Sequence, residues 1–244
     1  MDEKRFHWQR IVAILVFLTL LFSVGYAIVN IIIAHPGAAD ETHRKVKSDY
    51  VLMLLQCLLG IAVMFLPGLI EKRLKIDIPN HMYFAFIIFL YGAIYLGEVR
   101  SFYYNIPNWD TILHMFSSAM LGTLGFSIVN LINSSEKVKI RLSPLFVSVF
   151  AFMFAVSMGA FWEVYEFTSD GLLGLNMQKF LLEDGIPLVG RAALTDTMKD
   201  IIVDMIGAFA ACVLGYVSLK YKKGWIDRFE LRWEKEEKKE PVVK

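Results

Sequence analysis

Apolar residues in this chain gather into long unbroken runs, with the polar residues pushed into the segments between them. Runs of about twenty residues are the length that crosses a hydrocarbon core, and they recur at about 10–33, 50–70, 82–100, 110–133, 143–168 and 197–219. No run alternates with the period of two that a strand requires, and each is too long for a strand. The pattern predicts an all-α polytopic membrane bundle of about six helices. Polar residues stand where helices should start: Ser48 or Asp49, Asn80, Asn108, and Ser143 followed by Pro144. Proline suits a first helical turn, where its missing amide has no partner to lose.

The connecting segments set the expected orientation. Lys4, Arg5 and Arg10, then Lys72, Arg73 and Lys75, then Lys137, Lys139 and Arg141, then the tail from Lys220 form one set. The other set holds Arg44, Lys45 and Lys47, then Arg100, then Lys179 and Arg191. The richer set belongs in the cytoplasm, so both termini are expected inside. The first run is too long for a signal-peptide core and is read as a signal-anchor helix. Residues 220–244 are expected to form a charged cytoplasmic tail, in which Trp225, Phe229, Leu231 and Trp233 suggest an interfacial amphipathic helix. The connection at 169–196 is long enough to carry structure of its own, with a short interfacial helix expected at 177–182.

Composition narrows the function classes. The 244 residues are 56% hydrophobic with a formal net charge of +1, a balance that offers nothing to nucleic acid. Cys57 and Cys212 each fall inside an apolar run and read as small packing residues, not as a disulfide or a thiolate metal site.

The chemistry-bearing residues are ionisable groups inside apolar runs. Asp110 and His114 open the fourth span, Glu163 and Glu166 lie near the end of the fifth, and Asp196, Asp200 and Asp204 open the sixth. Glu98 and Arg100 end the third. Positions three or four apart share a helix face, so each group presents its charges together. Given the topology, all of them fall in the outer half of the bilayer. A charge at mid-membrane costs roughly 2.5–3.5 kcal/mol on insertion scales, so these groups should face one another and not lipid. Asp110 and Asp196 also suit a helix N-terminus on dipole grounds alone.

Several carboxylates in one pocket repel and need a cation among them. Arg100 and Lys199 are fewer than the acids, which points to a divalent metal, with Zn, Mn, Mg or Fe as candidates. His114, Glu163, Asp200 and Asp204 are the expected ligands, with Glu166 or Asp110 as general base. That set suggests a metal-dependent hydrolase or transferase acting on a membrane lipid or lipid-linked substrate. The competing readings are a proton- or cation-coupled transporter and a non-catalytic scaffold. An almost purely apolar inner half and the lack of a repeat disfavour alternating access.

The segments GEVRSFYYNIPNWDTILHMFSSAMLG, WEVYEFTSDGLLGLNMQ and LTDTMKDIIVDMIGA resemble the YjdF-like family of uncharacterised bacterial multi-pass inner-membrane proteins. The likeness covers spans three to six and rests on Trp109, Asp110, His114, Glu163, Glu166, Asp196, Asp200 and Asp204. It implies a bacterial plasma-membrane location and names no activity. The chain departs from the pattern at Glu98, where some relatives carry a histidine.

Overall fold

The computed structural model describes residues 2–34, 45–134, 142–182 and 186–233, with side chains from Trp8 onward. Arg44, Lys137, Lys139, Arg141 and the tail beyond Trp233, all used for the expected orientation or tail, lie outside them. Eight α-helices run in the order α1 (Asp2–Ile33), α2 (Lys47–Met64), α3 (Leu66–Leu74), α4 (Asn80–Leu90), α5 (Phe102–Asn105), α6 (Trp109–Asn133), α7 (Pro144–Leu173) and α8 (Arg191–Lys220). Among the described residues, six stretches are long and apolar enough to cross a membrane: Trp8–Ile33, Lys47–Leu74, Asn80–Val99, Trp109–Asn133, Pro144–Leu173 and Arg191–Lys220. These match the six hydropathic runs, with the second, fifth and sixth longer than expected.

The helix ends follow from local chemistry. The Ser143 hydroxyl accepts from the Phe146 amide at 3.3 Å, with Pro144 in the first turn, the cap that the sequence suggests. At α2 the cap falls two residues before Ser48. Val46 is the capping residue, and the Asp49 carboxylate accepts its amide at 2.8 Å. Pro67 opens α3 and breaks the second span at Phe65, because proline denies the preceding turn a hydrogen bond. After Leu90 the third span continues to Val99 as a π-helix, and the Arg100 amide reaches back to the Tyr95 carbonyl at 2.9 Å.

Packing divides the bundle into two groups. Val16, Leu20, Met53, Cys57, Ile87, Leu90 and Ile94 form a core joining α1, α2 and the third span. The other group is α6, α7 and α8, where Phe126, Val129, Val147, Ala151 and Cys212 interlock. Small residues let these three helices approach. A Cβ on Gly125 would come within 2.8 Å of the Ala151 Cα, and one on Gly207 within 2.6 Å of the Met115 carbonyl oxygen. Large apolar side chains such as Phe22, Ile32, Phe161 and Phe209 face outward, as lipid-facing surfaces should. Cys57 and Cys212 are buried and free, as packing residues.

At one end of the bundle a two-residue strand β1 (Ile76–Asp77) pairs antiparallel with β2 (Arg232–Trp233). The Ser127 hydroxyl donates to the Phe229 carbonyl at 3.0 Å, and the Trp233 indole donates to the Leu131 carbonyl at 3.0 Å. The amphipathic helix expected in the tail is therefore absent from its described part, which forms a 3-10 turn (Asp227–Phe229) and β2. The helix expected at 177–182 is absent too. The amides of Met177, Gln178 and Leu181 go instead to the side chains of Asp170 and Asn176, and a backbone bridge joins Leu181 to Pro187.

Candidate functional site

Asp110 and His114 lie one turn apart at the start of α6, and Asp200 and Asp204 one turn apart on α8. The two helices pack closely enough for His114 Nδ1 to lie 3.3 Å from Asp204 Oδ2. His114 Nε2 lies 3.8 Å from Asp110 Oδ1 on the other side of the ring. One ligand atom each from Asp110, His114 and Asp200 falls within 4.8 Å of the others. The imidazole thus sits between carboxylates of two helices.

The third helix closes the group. Gly159 on α7 faces Asp204 so directly that a Cβ there would collide with its carboxylate. Glu163 follows one turn later on the same α7 face and is 5% exposed. Glu166 is half-buried, and its Oε1 accepts from the Trp162 indole at 2.9 Å. Asp196 is half-buried at the edge of the group.

The group is short of positive partners. Asp204 is 2% and Asp200 4% exposed, yet an oxygen of each, and Oε1 of Glu163, has no hydrogen-bond partner among the described residues. Buried carboxylate oxygens cost a large desolvation penalty unless paired. Arg100 and Lys199 are exposed, and His114 is the basic group in ion-pair contact with these acids among the described residues. One nitrogen and several carboxylate oxygens converging from two helices form a donor set that fits a divalent metal of the Zn, Mn or Fe type.

Beside this group lies a second charged cluster. Glu98, buried at the end of the π-helix, accepts from Lys179 Nζ at 3.4 Å, and its backbone carbonyl accepts from Lys45 Nζ at 2.7 Å. Lys179 stands on the α7–α8 connection with φ of 53°, a left-handed conformation that costs a non-glycine residue energy. Neighbouring bonds hold it there. Asp170 accepts the amides of Met177 and Gln178 at 2.7 and 3.0 Å, and Asn176 exchanges hydrogen bonds with the backbone of Leu181. Asn176 also donates to the Tyr104 hydroxyl at 3.1 Å. Burial alone would lower the Lys179 pKa, but Glu98, with Tyr104 and Asp110, raises it above the ordinary lysine value. Burial lowers that of Lys45.

Both clusters open onto one cavity of about 300 Å³ between the two helix groups. Its walls are apolar, with Leu59, Val63, Phe86, Phe89, Ile94 and Met120 among them, while Tyr103, Asp110, His114, Glu166, Lys179 and Asp204 contribute the polar part. That volume lies at the lower end of the range for small-molecule sites.

The structure thus brings His114, Asp110, Asp200 and Asp204 together, with Glu163 packed behind them and Glu166 on the cavity wall. Asp110 and not Glu163 completes the three-residue group. Of Lys179, Tyr103 and Asp170, the first two carry no functional signal in the sequence. Only Asp170 had a usable clue, an acid followed by glycine at the end of a long apolar helix.

The family described as "Predicted membrane protein (DUF2238)" matches residues 10–221, and the chain belongs to it. The YjdF-like resemblance is a name for the same family. An uncharacterized protein of Thermotoga maritima is 28% identical over 155 residues, which cover 62% of this chain and 70% of that relative. No solved structure matches.

Proposed function

We propose that this membrane protein is a metal-dependent hydrolase or transferase acting on a lipid-linked substrate, with its site in the outer half of a bacterial plasma membrane. The observation that carries the reading is the convergence of Asp110, His114 and Asp200 within 4.8 Å, beside buried carboxylate oxygens that lack partners, at a largely apolar cavity. His114, Asp110, Asp200 and Asp204 would hold the ion, and Glu163 would add negative charge behind them. A divalent cation there would supply Lewis-acid polarisation of the group under attack.

The chain's own residues do the rest. Glu166, on the cavity wall and oriented by the Trp162 indole, takes the proton from the attacking nucleophile as general base. The apolar walls bind a hydrocarbon chain and keep bulk water out. Dryness strengthens every charge interaction at the polar end.

Elemental mass spectrometry on protein purified in detergent tests the reading, together with thermal unfolding in added Mn²⁺, Zn²⁺ or Mg²⁺. Wild type should carry one divalent ion per chain and gain thermal stability from it, while Asp200→Asn and His114→Ala should lose both. Wild type without stoichiometric metal, and with no stability response, would remove the basis of the proposal.

A further inference from the structure

The second charged cluster has no role in holding a metal, yet it lines the same cavity. Lys179 is 17% exposed on its side chain and uses one of its three ammonium donors, toward Glu98. Its Nζ stands 4.8 Å from the Tyr103 ring centroid and 5.2 Å from that of Tyr104, contacts that hold a cation in place without consuming its hydrogen bonds. Tyr103 lines the cavity as well. Its hydroxyl joins none of the hydrogen bonds among the described residues. Burial, with Asp110 and Glu98, holds the phenol well above its ordinary pKa, so it is a proton donor.

The backbone is shaped around this arrangement. A Cβ on Gly97 would run into the Tyr103 ring, so glycine is what admits the ring. The π-helical winding of Tyr91–Val99 places Glu98 where both lysines reach it, and π-turns recur at functional sites. Asp170 and Asn176 fix the loop that delivers Lys179. The polar part of the cavity therefore has two sides: an acidic, histidine-bearing side, and a side offering lysine and phenol donors.

We propose that the cavity takes an amphiphile with a phosphate ester head, held between Lys179 with Tyr103 on one side and the Asp110/His114/Asp204 side on the other, its hydrocarbon chain lying along the apolar walls. This rests on the metal reading above, because the acidic side accepts an anionic head only across a divalent cation. A cationic head would meet Lys179, and an uncharged one would leave the ammonium and phenol donors without a partner, which is costly in a dry site. A phosphate would bind a divalent cation on the acidic side with one oxygen while its others accept from Lys179 and Tyr103.

Binding of dodecyl phosphate, dodecanol, dodecyltrimethylammonium and inorganic phosphate to Mn²⁺-loaded, delipidated protein in maltoside micelles tests this, read from tryptophan fluorescence. Trp162 lines the cavity and reports occupancy. Dodecyl phosphate should bind at least tenfold more tightly than each of the other three. Lys179→Met should weaken it about tenfold or more, Lys179→Arg less, and Tyr103→Phe several-fold, with metal content unchanged in all three variants. Tyr103→Phe removes only a hydroxyl and carries the test should Lys179→Met fail to fold. Equal binding of the neutral or cationic amphiphile, or wild-type affinity in Tyr103→Phe and the folded lysine variant, overturns the proposal. Inorganic phosphate binding as tightly as dodecyl phosphate overturns the lipid assignment. Metal content of the same samples separates the two readings: absent metal sinks the metal-enzyme reading, whereas bound metal with no Lys179- or Tyr103-dependent selectivity sinks this one alone.

Discussion

Two glycines of α7 offer the same substitution with opposite expected outcomes. At Gly159 a Cβ would lie 3.0 Å from Asp204 Cγ and 3.3 Å from its Cβ, and nearer still to Oδ2, whereas at Gly171 nothing lies within 4 Å. Ordinary contact begins at about 3.4 Å, so Gly159→Ala forces the Asp204 carboxylate to retreat by roughly an ångström. It would then lose its 3.3 Å approach to His114. Overpacking of this kind costs about 1–3 kcal/mol, and a broken hydrogen bond to a charged group about 1.5–3 kcal/mol. The better helix propensity of alanine returns about 1 kcal/mol. The net destabilisation of Gly159→Ala is about 3 kcal/mol. Gly171→Ala keeps only the propensity gain and should stabilise by about 0.5–1 kcal/mol. For a chain of this size the two variants should differ in Tm by roughly 8–15 °C. Thermal unfolding in one detergent, followed by near-ultraviolet circular dichroism, measures it. Equal midpoints for the two variants would refute the contact between α7 and Asp204 on which the site's closure depends.

Three further outcomes follow from particular residues. Lys179 has a raised folded-state pKa, so its contribution to stability is complete below the unfolded value of about 10.4 and is lost only as pH climbs through the folded one. Lys179→Met should cost stability at pH 8 and by the same margin at pH 9.5; a margin already gone at pH 9.5, read by thermal unfolding, would contradict the Glu98 pairing. Asp170→Ala strips two backbone amides of their acceptor, costing about 1–3 kcal/mol, and limited proteolysis should then cut within 175–190 much faster; an unchanged cutting rate would contradict the clamp. On the proposed orientation, with Asp110 and His114 in the outer half of the membrane, Asn105→Cys should react with a membrane-impermeant maleimide in intact spheroplasts, against a low background from buried Cys57 and Cys212. Labelling only after lysis would invert the orientation.

Hydropathy alone located the six spans because burial in lipid imposes one rule on every stretch, and the observed helices differ from the expected bounds mainly by extra turns on the second span, α7 and α8. The site was legible for the same reason. Asp200, Asp204 and Glu163 interrupt apolar runs where a charge is expensive, and helical spacing gives their faces without a structure. Lys179 was not legible, since it sits on a connection where a lysine is ordinary, and its position follows from Asp170 and Asn176 bonds that no periodicity encodes. The π-helix left no trace either, because Tyr91–Val99 reads as plain apolar helix. The aromatic residues of the tail suit an amphipathic helix, but its described part does not form one. Instead Trp233 is used by a distant partner, the Leu131 carbonyl, and Arg232 pairs in register with Asp77.

On the proposed function, carboxylates and an imidazole from separate helices share one divalent cation. Diffraction from crystals grown with Mn²⁺, with data collected for anomalous scattering, would locate that ion. A peak bounded by His114, Asp110 and Asp200 is expected, with ligand atoms drawn in to about 2.0–2.2 Å. A map with no peak there, in which His114 stays bonded to Asp204 alone and Asp200 turns away, would contradict it.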